Sequence, residues 1–423
     1  MKAKMNAVLR IHPLLLSFVA VGYLASAGAP AMADDASGDV VGKVTVGYQG
    51  WFSCEGDQSP VNQWGHQNLE TWPDVREYAK TYATKLGNLG NGQQARMFSS
   101  YDDQVVLTHC KWMAQYGIDC VALQRFANEI SPGSPIKAQR DGMARKVMKA
   151  AGLTGRKFYI MYDVSGWGVR GLKADWTDTI VQGLHLTASS SYARQNGKPV
   201  VSIYGIGYKG WPGTPAEALD LINWFKAQGC YVIGSVPGQW RTGTGDSRAD
   251  FGEAYAAFNM LSAWAVGRLA DASYEPWIRG DFERCRALGI DYQPCAYPGT
   301  SFHNSNGSKM NLIPRNHGDF MWAQFLAMRQ VGVKSVYIAM FDEMNEATSI
   351  FKCAEDASMM PKDHWLLPLD ADGVHVSSDF YLRLTHDGGM MLKDQAPFQR
   401  KCPTPFVAPQ DQGAAAPQSQ EPQ

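Results

Sequence analysis

The sequence predicts a single (β/α)8 barrel of the TIM-like class, and three observations carry that prediction. Strand-like and helical runs alternate along almost the whole chain, the pattern of a parallel sheet with crossover helices. Several helical runs end in a glycine just before the next strand: Tyr116-Gly117-Ile118, Gln228-Gly229-Cys230, Leu288-Gly289-Ile290 and Val331-Gly332-Val333. A glycine there can take the left-handed conformation that closes a helix. One uninterrupted array of such units occupies residues 43–402, the length of a barrel with elaborated loops. No internal repeat at solenoid periods is present.

In chain order, residues 1–33 read as a signal peptide. Lys2, Lys4 and Arg10 form a positive region, Leu14 to Ala25 is apolar, and Ala31-Met32-Ala33 offers a small-x-small cleavage site. The expected mature protein is secreted or periplasmic in a bacterium, without a membrane span. Residues 34–42 are expected as a linker. Nine strand candidates follow: Lys43–Tyr48, Ala95–Ser100, Cys120–Gln124, Phe158–Tyr162, Pro199–Tyr204, Tyr231–Val236, Met260–Trp264, Tyr292–Tyr297 and Val336–Met340. A barrel needs eight, so one is a loop or accessory strand. The Met260 segment has the weakest pattern, because its Ala and Trp could extend the helix before it. Helices are expected at Pro73–Lys85, Gln104–Tyr116, Ala138–Ala151, Ala216–Gln228, Tyr274–Leu288 and Gly318–Gln330. The Pro, Gln and Ala of residues 403–423 read as a disordered tail.

Composition narrows the function. The chain of 423 residues is 45% hydrophobic, ample for a large core, and its formal net charge is −1. No basic stripe is present, which argues against nucleic acid or an anionic membrane as partner. A monomer is expected. The 13 tryptophans exceed ordinary core needs, and flat indole faces suit sugar rings. Eight cysteines in an exported chain permit disulfides; Cys353 with Cys402 and Cys285 with Cys295 are candidate pairs. No Cys/His spacing suits a zinc site, and neither a metal nor an organic cofactor is expected. The nucleophile elbow of α/β-hydrolases and the Walker phosphate loop are both missing.

A barrel builds its active site from loops at the carboxyl ends of its strands. Polar and aromatic clusters stand at those ends: Tyr48-Gln49-Gly50-Trp51, Gln124-Arg125-Phe126, Tyr162-Asp163, Gln239-Trp240-Arg241, and Tyr297 through His303. Arg125 and Asp163 could equally be ion-paired structural residues. The last strand, Ser335 to Met340, runs into Phe341-Asp342-Glu343-Met344-Asn345-Glu346-Ala347-Thr348. Glu343 and Glu346 are three residues apart, so one helical turn would set them on one side. Two close carboxyl groups repel as anions, so one can hold a proton while the other acts as base. Glycoside hydrolysis needs such a pair. An acidic turn capping a helix would show the same spacing.

On these residues the chain resembles the family 71/99-like glycoside hydrolases. The likeness runs from about Lys43 to Lys352. It is carried by Val46-Gly47-Tyr48-Gln49-Gly50-Trp51-Phe52, by Met97 to Asp102, by Ile118 to Phe126, and above all by Ala339 to Thr348. Family 99 enzymes are retaining endo-α-mannosidases and endo-α-mannanases on a (β/α)8 barrel, and looser members are labelled xylosidase/arabinosidase. Their final-strand motif is aromatic-Asn-Glu-Trp-x-Glu-Gly. Glu343 and Glu346 match its two carboxylates; Asp342, Met344 and Ala347 replace its Asn, Trp and Gly. The resemblance implies an oligo- or polysaccharide substrate with α-linkages. It also implies Glu343 as general base on the sugar 2-hydroxyl and Glu346 as acid/base, through a 1,2-anhydro sugar. Tyr48, Gln49, Trp51, Asp163, Gln239, Trp240, Arg241, Tyr297, His303 and Asp342 are the candidate sugar contacts. A non-catalytic carbohydrate-binding barrel and a metal-dependent hydrolase are the competing readings. Binding alone has no need of both carboxylates.

Overall fold

The computed structural model describes residues 38–408. Eight parallel strand positions close into a barrel: β1 Val44–Tyr48, β2 Cys120–Phe126, β3 Lys157–Asp163, β4 Lys198–Tyr204, β5 Tyr231–Val236, β6 Met260–Ala263, β7 and β8 Val336–Ile338. β7 comes in two pieces, Asp291–Tyr292 and Cys295–Ala296. The first piece pairs with β6 and the second with β8, and β8 pairs with β1, so the ring is complete. Gln293 and Pro294 separate the pieces. Proline cannot donate to a ladder, yet the Pro294 carbonyl still accepts from Tyr337 N–H at 2.9 Å. Strand interiors are buried on both faces, the usual state of parallel sheets covered by helices.

Helices follow each strand. Asp103–Gln115, Pro135–Thr154, Pro215–Ala227, Gly252–Ala257, Tyr274–Leu288, Asp319–Val331 and Phe380–Leu392 are α-helical. The β3–β4 crossover is a short α-turn continued by the π-helix Asp175–Gly183. Helix Pro215–Ala227 starts in a capping box, with Thr214 Oγ1 accepting from Glu217 N–H and Glu217 Oε2 accepting from Thr214 N–H. The four glycines expected to end helices have φ between 67° and 92°.

Four local expectations fail. Pro73–Lys85 is not a helix: Tyr82–Ala83 pairs antiparallel with Arg96–Met97. Tertiary bonds hold this stretch out instead, with Asp74 N–H on the Lys352 carbonyl and the Tyr78 hydroxyl 2.7 Å from His109 Nε2. That pairing also makes Ala95–Ser100 the accessory strand, while the Met260 segment is β6, freed by a helix that stops at Ala257. The described part of the expected linker is packed, because Val40 is buried and Gly42 N–H donates to Ser335 Oγ at 2.8 Å. Residues 403–408 of the expected tail dock on the last helix, where the Phe406 ring meets Phe380 and its carbonyl accepts from Ser377 N–H. All eight cysteines are free thiols, so neither candidate disulfide forms. Cys285 and Cys295 are each enclosed in the core, and Cys353 Sγ lies 3.4 Å from Ser349 Oγ. The expected signal peptide and residues 409–423 lie outside the described residues.

Candidate active site

The parallel ladder brings the carboxyl ends of all eight strands to one mouth of the barrel. β8 delivers Asp342, Glu343 and Glu346 there, and β3 delivers Asp163. Asp342 is fully buried. Its two oxygens accept from Gln49 N–H (2.8 Å) and Gly50 N–H (2.9 Å), which latches the β1 loop to the β8 loop. Burial pushes its carboxyl up to about 6 against the pull of those two donors. Asp342 is therefore a structural latch; both its oxygens are committed to backbone, and it has no surface for a sugar.

Glu343 is also buried, and its carboxyl is raised by burial first, then by the nearby charges of Glu346 and Asp342. Two donors favour its ionised form: Asn345 N–H at 2.9 Å and the Gln49 side chain. Glu346 is partly exposed at the mouth. Burial and the facing charge of Asp163 push it up to about 7. Asp163 is itself raised by burial and is oriented by Gln124 Nε2 (2.7 Å) and Ser165 N–H (2.8 Å). Three carboxyl groups crowded in one partly desolvated mouth cannot all ionise near neutral pH. The cluster keeps a proton available within reach of a neighbouring carboxyl group.

The loop carrying Glu343 and Glu346 is clamped through its backbone. The Glu346 carbonyl accepts from Ser301 N–H and Thr300 Oγ1. The buried Arg315 donates one nitrogen to the carbonyls of Ala347 (2.9 Å) and Ser349 (2.8 Å). Glu70, fully buried, accepts from Ser301 Oγ, and its own N–H donates to the Met344 carbonyl. Ala347 sits at φ 54°, a conformation glycine would take more readily.

The sequence-derived candidates divide in two. Gln49, Asp163, Glu343 and Glu346 meet at the mouth. Trp51 stands at its rim with its ring stacked on Phe126 at 5.5 Å and 8°, and His303 is half-buried against Trp365. Tyr48 is enclosed, its hydroxyl 2.9 Å from His109 Nδ1. Tyr297 is enclosed too, donating to the Arg268 carbonyl at 2.6 Å. Trp240 packs edge-on against Tyr255. Arg241 is bound to buried Asp281 at 3.1 Å, and Gln239 N–H is held by Asp246. These five serve packing and loop structure and are not gathered at the carboxylates. Arg125 makes a bidentate pair with Asp175 (2.7 and 2.6 Å), away from Asp163. Tyr204 was not among the candidates, although it ends β4 and its hydroxyl lies in the field of both Asp163 and Glu346. Its ring meets Trp264 at 5.0 Å. The rule that flagged the other strand ends would have found it.

Among the described residues no group of His, Cys, Asp or Glu has an arrangement to hold a metal ion, and no helix is long and apolar enough to cross a membrane.

No protein-family model matches the chain, and no curated protein matches it. Solved structures do. The GH99 endo-alpha-mannosidase from Bacteroides thetaiotaomicron superposes with a TM-score of 0.62 at 14% identity, over 84% of this chain and 99% of that one. Its complex with bis-tris-propane gives the same values. A glycoside hydrolase-like protein follows with a TM-score of 0.53 at 15% identity, over 85% of this chain and 97% of that one. At such identities the likeness is one of fold: the chain has the barrel fold seen in the family 99 endo-α-mannosidase.

Proposed function

We propose that the protein is an exported retaining glycoside hydrolase acting on an α-linked polysaccharide or glycan. One observation carries the reading: Glu343, Glu346 and Asp163 share the mouth of a barrel with a glycosidase fold, and burial together with their mutual charges raises all three carboxyls. Glu343 matches the first carboxylate of the family motif and serves as base, with Asn345 N–H and the Gln49 side chain to hold its ionised form against burial. Glu346 accepts no side-chain hydrogen bond from the described residues, faces Asp163 and serves as acid. The leader at residues 1–33 supports export.

In the first step Glu343 takes the proton of the sugar 2-hydroxyl, and O2 attacks C1. The C1–O bond to the leaving group breaks as Glu346 protonates that oxygen. In the second step Glu346 takes a proton from water, which attacks C1. The C1–O2 bond opens and Glu343 returns its proton to O2. Two inversions give net retention. The resemblance of Glu343 and Glu346 to the family motif supports this route, and the crowded carboxyls supply the acid and base it needs.

The test is a product screen of the mature chain against α-mannan, α-1,3-glucan and arabinose- or xylose-containing polymers, read by mass spectrometry. A product that vanishes with Glu346→Gln is expected. Full turnover in that variant removes Glu346 from the mechanism. Binding without product on every polymer makes the protein a carbohydrate-binding barrel.

A further inference from the structure

A groove of about 660 Å³ lies between the loops that follow β2, β3 and β4 and the first turns of the helices after them. Its volume lies in the range of ligand sites. A shallower depression of about 560 Å³ continues from it, sharing Pro132, Lys137 and Thr179. The loops follow strand carboxyl ends, so the groove is on the same face as Glu343 and Glu346.

Trp167 heads it. This ring is 64% exposed, and every other tryptophan is buried or half-buried. An indole this exposed on a loop tip gains little from burial. It is nonetheless held in place: Trp167 N–H and Gly168 N–H both donate to the Val164 carbonyl, at 3.2 and 3.0 Å. The same turn reaches the active site, because Ser165 N–H donates to Asp163. On the other side, Pro212 lines the groove and adjoins Trp211, which is stacked on Tyr208 at 4.3 Å and meets Tyr204 at 5.9 Å. Aromatic surface thus runs from the carboxylates to the groove.

The charges select against an ionic ligand. Lys137 is tied to Asp141, and Asp175 to Arg125. The remaining lining charges, Arg170 against Asp178 and Glu217, are mixed in sign. An uncharged chain with apolar C–H faces and hydroxyls fits such a surface.

We propose that this groove is a second oligosaccharide-binding subsite, in which Trp167 stacks on a neutral sugar chain extending away from the Glu343/Glu346 pair. The inference rests on the glycosidase reading for its substrate class. It makes the protein a reader of chains longer than the sugars at the carboxylates.

The test is native electrophoresis through gels containing yeast α-mannan, arabinoxylan or a soluble α-glucan. Wild type, Glu346→Gln, Trp167→Ala and Trp167→Tyr are compared, with thermal melting as the folding control. The expected result is retardation of wild type and Glu346→Gln by at least one polymer. Trp167→Ala should lose about five-fold or more in affinity, and Trp167→Tyr should keep most of it. Equal retardation of Trp167→Ala and wild type overturns the proposal, as does no retardation of wild type by any polymer. Product formation with unchanged retardation of Trp167→Ala sinks the groove and leaves the hydrolase. Retardation lost in Trp167→Ala, with no product from any polymer, keeps the groove and sinks the hydrolase.

Discussion

Replacing Glu346 by Gln should stabilise the protein, and only above acidic pH. The side chain is held up to about 7 in the fold, against an ordinary 4.5, by burial and by Asp163. One pKa unit corresponds to about 1.4 kcal/mol. The displacement is therefore worth about 3 kcal/mol at most, and partial exposure at the mouth reduces this to about 1–3 kcal/mol. The sign follows from proton counts. Between pH 4.5 and about 7 the native state holds a proton that the unfolded chain has released, so wild-type stability falls as pH rises through that window. Gln copies the protonated acid and has no proton to lose. Denaturant unfolding at pH 4, 5.5, 7 and 8.5 would show equal stabilities at the acid end and a growing advantage for Glu346→Gln up to about pH 8. Parallel curves for the two proteins would refute the claim that folding forces this carboxyl to keep its proton.

Other consequences are equally direct. Asp163→Asn removes the anion facing Glu346, so the alkaline limb of a kcat/KM–pH profile should move to lower pH by roughly one unit; an unmoved limb would show that Asp163 does not tune Glu346. Arg315→Met strands two buried carbonyls of the Glu346 loop, and urea melts should show a loss of about 2–4 kcal/mol together with reduced turnover. Thiol titration without reductant should find all eight cysteines in the unfolded protein. In the native protein Cys402, the one that is not fully buried, should react first.

The barrel was legible because its signals are local. A glycine after a helix and a β-branched run before a polar turn announce themselves within a few residues. Pro73–Lys85 misled for the converse reason: its helical pattern was overridden by bonds to Lys352 and His109, residues far away in sequence. Glu343 and Glu346 were legible from one motif, and Asp163 from the polar end of its strand. The remaining candidate contacts were less so, since a polar residue at a strand end carries no sign of which way it faces. Gln239, Trp240 and Arg241 follow β5 as a sugar-binding loop would, yet Asp246, Tyr255 and Asp281 claim them. Arg315 had no signal at all, because its partners are main-chain carbonyls and any sequence supplies those.

The broken seventh strand divides the barrel into halves of unequal strength. β2 and β3 share a register of seven residue pairs, whereas each piece of β7 meets its neighbour over only two. The weak seam therefore runs beside β8, the strand that carries Glu343 and Glu346. Local opening begins where backbone bonds are fewest, so amide exchange should reach β6, the pieces of β7 and β8 before it reaches β2 and β3. Glu343 and Glu346 thus ride on the loosely laced side, while Asp163 is fixed on the firmly paired strand β3.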